Sequence, residues 1–393
     1  MSNDVLIPAR NVILNTEGEI YAYDYTGGTW TLNHLKTHLN HLNSTVSLFI
    51  QLDIDMFFSP ELDNLSSEQI VLVLPFALQL LPETIVRIDE LHDKGYRFAF
   101  DGHTLESSHF SSASSLFPYI QFVRIDARQL EKPSIINAIT RLRPYEMTFL
   151  ATDIREPNHY KYCESYGFTL FEGSFYKKPL IIENKRVDTL TSKVLELIEK
   201  VQHNASLSEI EQIFNRYPDL LFNLLRHINS AAFGFTADIQ SVRHALTLLG
   251  RNRLLSWLSL FLYSEKNSRP FGTALLKNAL FRGKAMELLN ELIIISSNKD
   301  LIYFTGIFSL MDAYLQIRMS DILQEVQIDI EVCEAVLHGS GKIGILLETA
   351  RNLENGHFDF HSEHPLLASL SKEKLINIVS DAYSYSDQYG SSI

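Results

Sequence analysis

The hydrophobic pattern of this 393-residue chain changes once, and that change constrains the fold more than any other feature. Before residue 181, short apolar runs alternate with helix-like segments, whereas after residue 192 apolar residues recur at helical spacing. Alternating strands and helices are typical of an α/β domain, and sustained helical periodicity is typical of an all-α domain. The sequence therefore predicts two domains, 1–182 and 193–393, joined by a linker at 183–192.

Six runs in the first domain are predicted to be strands because they are rich in apolar, β-branched and aromatic residues. These runs are residues 47–54, 70–76, 97–102, 122–127, 147–154 and 169–173. Helix-like segments lie between them at 82–94, after residue 132 and at 158–166. Near-continuous apolar strands suit a parallel sheet covered on both faces, so we expect an α/β barrel or an open doubly wound sheet.

Composition narrows the possible partners. The formal net charge is −13 and no basic run is longer than Lys177-Lys178, so we expect no nucleic-acid partner. The apolar runs are too short to span a bilayer, and the N-terminus shows no secretory signal, which predicts a cytoplasmic protein without a membrane span. Cys163 and Cys333 lie far apart in sequence, so no disulfide framework is expected.

Two sets of motifs resemble known signalling domains. FEGSFYKKP, KGYRFAFDG and VRIDA resemble the closing, paired-aspartate and Lys-Ile-Asp strands of EAL domains. PDLLFNLLRHINSAAFGFTADIQSVRHALTLLG, residues 218–250, resembles an HDOD domain in its Asn-Ser-Ala, aromatic-Gly, Ser-Val and Leu-Gly marks. The resemblance implies a degenerate, shortened EAL-type barrel followed by a helical HDOD domain that is related to HD phosphohydrolases. Because the first domain is short, we expect one or more strand–helix units to be trimmed or replaced by loops such as residues 103–117.

Active EAL domains resemble other two-metal hydrolases, in which carboxylates hold Mg²⁺ or Mn²⁺ and the metals activate a water that attacks cyclic di-GMP. Such a site needs several oxygen ligands at the strand ends. At three positions where EAL domains have metal ligands, this chain has residues that are not carboxylates: Val73, Gly102 and Thr152. Arg155 stands roughly where EAL domains have a further glutamate. The remaining polar positions form a remnant pocket: Asp24, Gln51, Asp101, Arg124, Asp126 and Glu172. We therefore predict no catalytic residues, no metal, no cofactor and no tight nucleotide binding.

The helical domain can likewise be compared with the metal-binding motif of HD phosphohydrolases. The helix that would carry a His-Asp metal motif reads YFTGIFSLMDAYL, residues 303–315, and contains no histidine. In the capping sequence NASLSEIEQ, Ser206 or Ser208 is the predicted N-cap. Asn229, Ser230, Phe233 and Phe235 are candidate partner contacts, although small polar residues more often cap helices and the two aromatics more often pack under a neighbouring helix.

Two histidine groups could bind metal. His34, His38 and His41 share a face if their segment is a helix, and His357, His361 and His364 lie in one polar loop. We favour solvated surfaces for both groups. The resemblance as a whole implies a non-catalytic signalling protein that binds other signalling proteins of unknown identity in cyclic di-GMP, motility or pilus regulation. The alternatives are a residual cyclic di-GMP phosphodiesterase or receptor, and a metal-dependent phosphohydrolase in the helical domain.

Overall fold

The computed structural model of the chain describes residues 9–26, 32, 46–74, 82–101, 114–180, 187–228, 241–263, 269–293, 299–325, 328–358, 366–368 and 370–390. An eight-stranded barrel is followed by a helical half. The strands are β1 (Ala9–Asn15), β2 (Ile20–Thr26), β3 (Ser47–Gln51), β4 (Ile70–Val73), β5 (Arg97–Asp101), β6 (Ile120–Asp126), β7 (Thr148–Ile154) and β8 (Leu170–Gly173). Each strand pairs with the next, and β8 pairs with β1, so the sheet is closed.

Helices cover part of the barrel's outer surface. Their bounds are α1 (Ile54–Phe58), α2 (Pro82–Asp93), α3 (Pro133–Leu142) and α4 (Pro157–Ser165), with 3-10 turns at Pro60–Asn64, Ser114–Tyr119, Ala127–Gln129, Arg143–Tyr145 and Phe175–Lys177. Three of these helices begin with a proline, which suits a first turn because its missing N–H has no helical partner there. A closed α/β barrel is therefore present, and the open doubly wound alternative is wrong.

The six predicted strands are confirmed as β3 to β8, with bounds that differ by at most three residues. The sequence did not predict β1 and β2, which pair antiparallel through a tight turn in which Gly18 has φ +78°. A hairpin needs no crossover, whereas each parallel connection needs a dozen or more residues. The expectation that strand–helix units are trimmed is therefore wrong for the strands, because the hairpin allows eight strands within a short domain.

Each strand contributes one or two apolar residues that fill the inside of the barrel. This inner core consists of Ile13, Ala22, Phe49, Val71, Val73, Ala99, Phe122, Leu150 and Leu170. Phe49 and Phe122 meet edge to face with ring centroids 5.0 Å apart. The barrel interior is thus a packed core rather than a channel.

The helical half contains α5 (Thr189–Gln202), α6 (Leu207–Arg216), α7 (Pro218–Ile228), α8 (Val242–Phe261), α9 (Gly272–Ile293), α10 (Lys299–Phe308), α11 (Met311–Leu315), α12 (Met319–Glu325), α13 (Ile330–His338), α14 (Gly341–Glu354) and α15 (Lys372–Gly390). No strand follows β8 among the described residues. Ser206 caps α6 in a complete capping box with Glu209, as predicted. The single helix predicted over 303–315 is instead divided between α10 and α11.

The two halves share an extensive interface on the outer face of the β1–β2 hairpin. Arg10 of β1 donates to Asp387 of α15 at 2.6 Å, and its guanidinium lies 4.3 Å from the ring centre of Tyr23 and 4.1 Å from that of Tyr383. Lys277 of α9 donates to Asp387 at 2.9 Å and to the Tyr23 hydroxyl at 3.0 Å. Because the hairpin has no crossover helix of its own, α9 and α15 supply the outer layer that buries it.

Candidate functional site

The residues at the C-terminal ends of the parallel strands form the candidate site, which we call the barrel mouth. Side chains alternate across a strand, so the residue two positions after an inner-core residue also faces inward. This rule gives the inward-facing residues of the mouth as Asp24, Gln51, Val73, Asp101, Arg124, Thr152 and Glu172. The motif positions that the sequence identified therefore converge at one end of the barrel, with Gln51 exposed at its edge.

Arg124 lies at the centre of a buried ion cluster in the mouth. Its Nη2 donates to Asp24 Oδ2 at 2.6 Å, and its Nε lies 3.6 Å from Asp101 Oδ1. The side chain of Asp24 is fully buried and that of Arg124 is only 7% exposed. Arg124 therefore places a fixed positive charge against Asp24 and Asp101, the two carboxylates of the remnant pocket that lie nearest to it.

Burial sets the protonation of this cluster. It raises the pKa of Asp24 to about 6, a shift that Arg124 opposes and Asp101 reinforces. Burial and the nearby Asp24 raise the pKa of Glu172 to about 7. Although burial disfavours the Arg124 cation, Asp24 and Asp101 raise its pKa, so Arg124 stays charged. The mouth consequently holds one permanent cation, Arg124, and two carboxyl groups, Asp24 and Glu172, whose pKa values burial raises toward neutral pH.

A second layer of ion pairs lies at the rim of the mouth. Arg128 donates to both oxygens of Asp126 and lies 2.9 Å from Asp153 Oδ2, and Arg155 donates to Asp153 at 2.9 Å. Asp126 thus turns toward Arg128, away from the central cluster. Sequence analysis missed Arg128 and Asp153. The repeated Asp-x-Arg spacing after β6 and at the end of β7 is the signal that could have identified them.

The stretch LFEGSFYKKPL, residues 170–180, closes the barrel as the sequence predicted. Gly173 has φ +145°, and a Cβ there would lie 2.1 Å from the carbonyl oxygen of Ile154, so only glycine fits. Close to this contact between Gly173 and Ile154, Asp153 N donates to Glu172 Oε2 at 3.2 Å. The close contact between β7 and β8 therefore fixes Glu172 at the mouth.

The end of the same stretch is docked into the helical half through a second buried cluster, which we call the Glu354 cluster. Glu354 Oε2 accepts from Arg282 Nε at 2.6 Å, and its Oε1 lies 2.6 Å from Lys177 Nζ. Arg282 Nη1 also donates to Ser309 at 3.1 Å, and Asn278 donates to the Tyr176 hydroxyl at 2.7 Å. Tyr176, Lys177 and Ser309 lie in stretches that the sequence singled out, but no motif marked Asn278, Arg282 or Glu354. The cluster itself could not be predicted, because its contacts join parts of the chain that are distant in sequence.

The helical half holds no metal-binding motif among its described residues. Ser309 stands at the break between α10 and α11 and bonds Arg282, and burial raises the pKa of Asp312. In the described part of the whole chain, no three His, Cys, Asp or Glu side chains are grouped as metal ligands. Several predicted positions lie outside the described residues: Gly102, His34, His38, His41, His361, His364, Asn229, Ser230, Phe233 and Phe235.

Comparison with known proteins supports both halves of the sequence resemblance. An HDOD domain matches residues 187–313. The uncharacterized protein YuxH of Bacillus subtilis is 25% identical over 323 residues, which cover 80% of this chain and 78% of that protein. The cyclic di-GMP phosphodiesterase CdgJ of Vibrio cholerae is 25% identical over 307 residues, which cover 77% of this chain and 70% of that protein.

The N-terminal barrel resembles EAL domains of known structure. The EAL enzyme Bd1971 in its cAMP-bound form aligns with a TM-score of 0.36 and 14% identity over 44% of this chain and 62% of that one. The EAL domain of Mycobacterium smegmatis DcpA aligns with a TM-score of 0.35 and 14% identity over 43% of this chain and 90% of that one. The chain thus spans under two thirds of the Bd1971 protein. None of the described helices is long and apolar enough to cross a membrane.

Proposed function

We propose that this chain is a non-catalytic protein of cyclic di-GMP signalling that acts by binding other proteins. The observation that carries the proposal is the position of Arg124, whose guanidinium pairs with Asp24 at 2.6 Å and lies 3.6 Å from Asp101. A divalent cation at these carboxylates would lie against that guanidinium, and the two positive charges would repel each other. The similarity to CdgJ, a cyclic di-GMP phosphodiesterase, supports a place in cyclic di-GMP signalling.

The remaining donors of the mouth fit a divalent cation poorly. Val73 is fully buried in the inner core and offers no oxygen. Asp126 and Asp153 already bond Arg128 and Arg155 at the rim. Mg²⁺ and Mn²⁺ require several oxygen ligands in a regular arrangement, and the described side chains of the mouth do not supply one.

The same charges argue against a nucleotide receptor. Glu172, with a pKa of about 7, is about half neutral at pH 7. Among the described residues of the mouth, the carboxyl groups of Asp24, Asp101, Asp126 and Asp153 still outnumber the three guanidinium groups of Arg124, Arg128 and Arg155. All three guanidinium groups also have carboxylate partners. A negative surplus repels the phosphates of a dinucleotide, so we expect no tight binding of cyclic di-GMP.

A hydrolysis assay tests the proposal. Purified protein is incubated with cyclic di-GMP and either Mg²⁺ or Mn²⁺, and the linear product is measured by chromatography. We expect no product above the protein-free control and no heat of binding by calorimetry. The alternative of a residual phosphodiesterase, which the similarity to CdgJ favours, predicts product in proportion to protein. Its loss in Asp101→Ala would locate that activity in the barrel mouth and overturn the proposal.

A further inference from the structure

A cleft lies between the first turns of α13 and α14 in the helical half. It encloses about 380 Å³ and is lined by Ile330, Glu331 and Glu334 of α13, and by Lys342 and Ile343 of α14. Cavities of about 300–1,000 Å³ are the usual size of ligand pockets. Ile343 is buried, whereas Ile330 at the edge of the cleft is 70% exposed. The cleft is therefore large enough for apolar side chains and has an apolar entrance.

An exposed apolar row continues from the cleft along α13. Ile330, Cys333 and Leu337 are spaced i, i+3 and i+7, which places them on one face of the helix. Leu337 is 41% exposed and Cys333 is half-buried, while Val332 and Ala335 pack inward. Seven residues of helix extend about 10 Å, so the row is longer than one small ligand requires. Its shape suits an elongated partner such as a helix.

The charges beside the row determine which sign of charge a partner should carry. Asp329 caps α13, and Glu331 and Glu334 lie in its first two turns, against the single Lys342 of the cleft. Neither glutamate forms an ion pair with a residue that the structure describes. Acidic groups next to an apolar row attract a basic partner and repel nucleic acid or an anionic membrane. A second copy of this chain, with its formal charge of −13, would also be repelled.

From this geometry we propose that the α13 row and its cleft bind a short amphipathic helix of a partner protein. One aliphatic side chain of the partner enters the cleft beside Ile330, a second lies on Leu337, and a Lys or Arg of the partner pairs with Glu334. This inference rests on the proposed function, since it names the surface and the partner chemistry of a protein that acts by binding. It assigns the contact to a part of the chain beyond the HDOD match at residues 187–313.

A peptide selection tests the inference. A random 16-residue peptide library is displayed on phage and selected on the full-length protein, and enriched peptides are synthesised with a fluorescent label for anisotropy titration. We expect enriched sequences to carry two aliphatic residues three or four positions apart, flanked by Lys or Arg. Ile330→Ser should weaken binding about tenfold or more, because a buried aliphatic side chain contributes at least that much. Glu334→Lys should weaken binding too, and exchanging the peptide's basic residue for Glu should restore it.

A matched control separates this surface from others. Phe222 of α7 is 64% exposed, close to the 70% of Ile330, so Phe222→Ser removes a similarly exposed apolar side chain on the helix that precedes residues 229–235. We expect this variant to bind like the unchanged protein, with circular dichroism confirming that every variant is folded. Acidic or absent consensus sequences, loss of binding only in Phe222→Ser, or self-association that depends on Ile330 would each overturn the inference. None of these results bears on whether the barrel mouth is catalytic, which the hydrolysis assay decides separately.

Discussion

Replacing Glu354 by glutamine should destabilise the whole chain, because Glu354 is the only described carboxylate that contacts the cations of its cluster. Its side chain is 3% exposed, and it lies 2.6 Å from both Lys177 of the barrel half and Arg282 of α9. Glutamine keeps the shape and can still accept hydrogen bonds but carries no charge. Glu354→Gln would therefore leave two cations buried at the interface without a counter-charge, an arrangement that costs several kcal/mol.

The magnitude follows from the pKa of Glu354. Burial favours the neutral acid, yet Arg282 and Lys177 lower the pKa from 4.5 to about 2. Each unit of pKa corresponds to about 1.4 kcal/mol, so the ionised form stabilises the fold by about 3 kcal/mol. Because the folded-state pKa is depressed, this contribution is fully present above pH 4.5 and is lost as the pH falls toward 2. At pH 7, Glu354→Gln should thus cost about 3 kcal/mol.

Urea denaturation at pH 7, followed by circular dichroism, measures the loss as a shift of the midpoint at constant slope. Glu348→Gln is the matched control, since Glu348 lies on the same helix, is 50% exposed and pairs with Arg351. Exposed pairs contribute about 0–1 kcal/mol, so the control should barely move the midpoint. Equal effects of the two substitutions would refute the reasoning, because they would show that burial of the Glu354 cluster has no energetic consequence.

Three further predictions concern the barrel mouth and the interface. Arg124→Ala, which leaves Asp24 buried without its cation, should lower the unfolding free energy by about 3–5 kcal/mol in the same assay, whereas Arg128→Ala at the exposed rim should not shift the midpoint. Because the folded pKa of Glu172 is raised from 4.5 to about 7, stability should fall as the pH rises through this interval, and the raised pKa of Asp24 adds to the fall up to about pH 6. Glu172→Gln should remove the part of the slope that Glu172 causes, most clearly above pH 6, and stabilise the protein at pH 8 by about 3 kcal/mol; an unchanged slope would contradict the burial argument. Residues 187–393 expressed alone should bind a hydrophobic dye and melt below the full chain, since α15 would lose Arg10; a melt equal to that of the full chain would show that the interface is not needed.

The sequence predicted those elements of the fold that a short run of consecutive residues specifies. The strands β3 to β8 are apolar runs, and the capping box at Ser206 is a four-residue signal, so both could be identified from sequence. The β1–β2 hairpin was missed because polar and charged residues, such as Arg10 and Asp24, interrupt its apolar residues. Arg10 has a structural reason that sequence does not display: its charge is neutralised by Asp387, 377 residues away.

In the candidate site, too, the sequence located residues but not the contacts between them. Motif positions correctly located the layer that contains Asp24, Arg124 and Glu172, since strand ends meet at one end of a barrel. Sequence could not predict that Arg124 reaches Asp24, because the reach of a side chain depends on the register of β2 and β6 around the barrel. It also could not predict the rim pairs of Arg128, which depend on how β7 bends beside Gly173.

The aromatic and basic run after Gly173 has a structural explanation that does not require catalysis. Phe175 and Tyr176 pack against Phe271 of the helical half, with ring centroids 5.4 and 6.2 Å away, and Lys177 lies beside Glu354. These contacts begin two residues after the glycine that closes the barrel and end within the Glu354 cluster. Glu172, which belongs to the mouth, is therefore only five residues from Lys177, which belongs to the interface. A motif that resembles the end of a catalytic barrel here serves to join that barrel to its helical half.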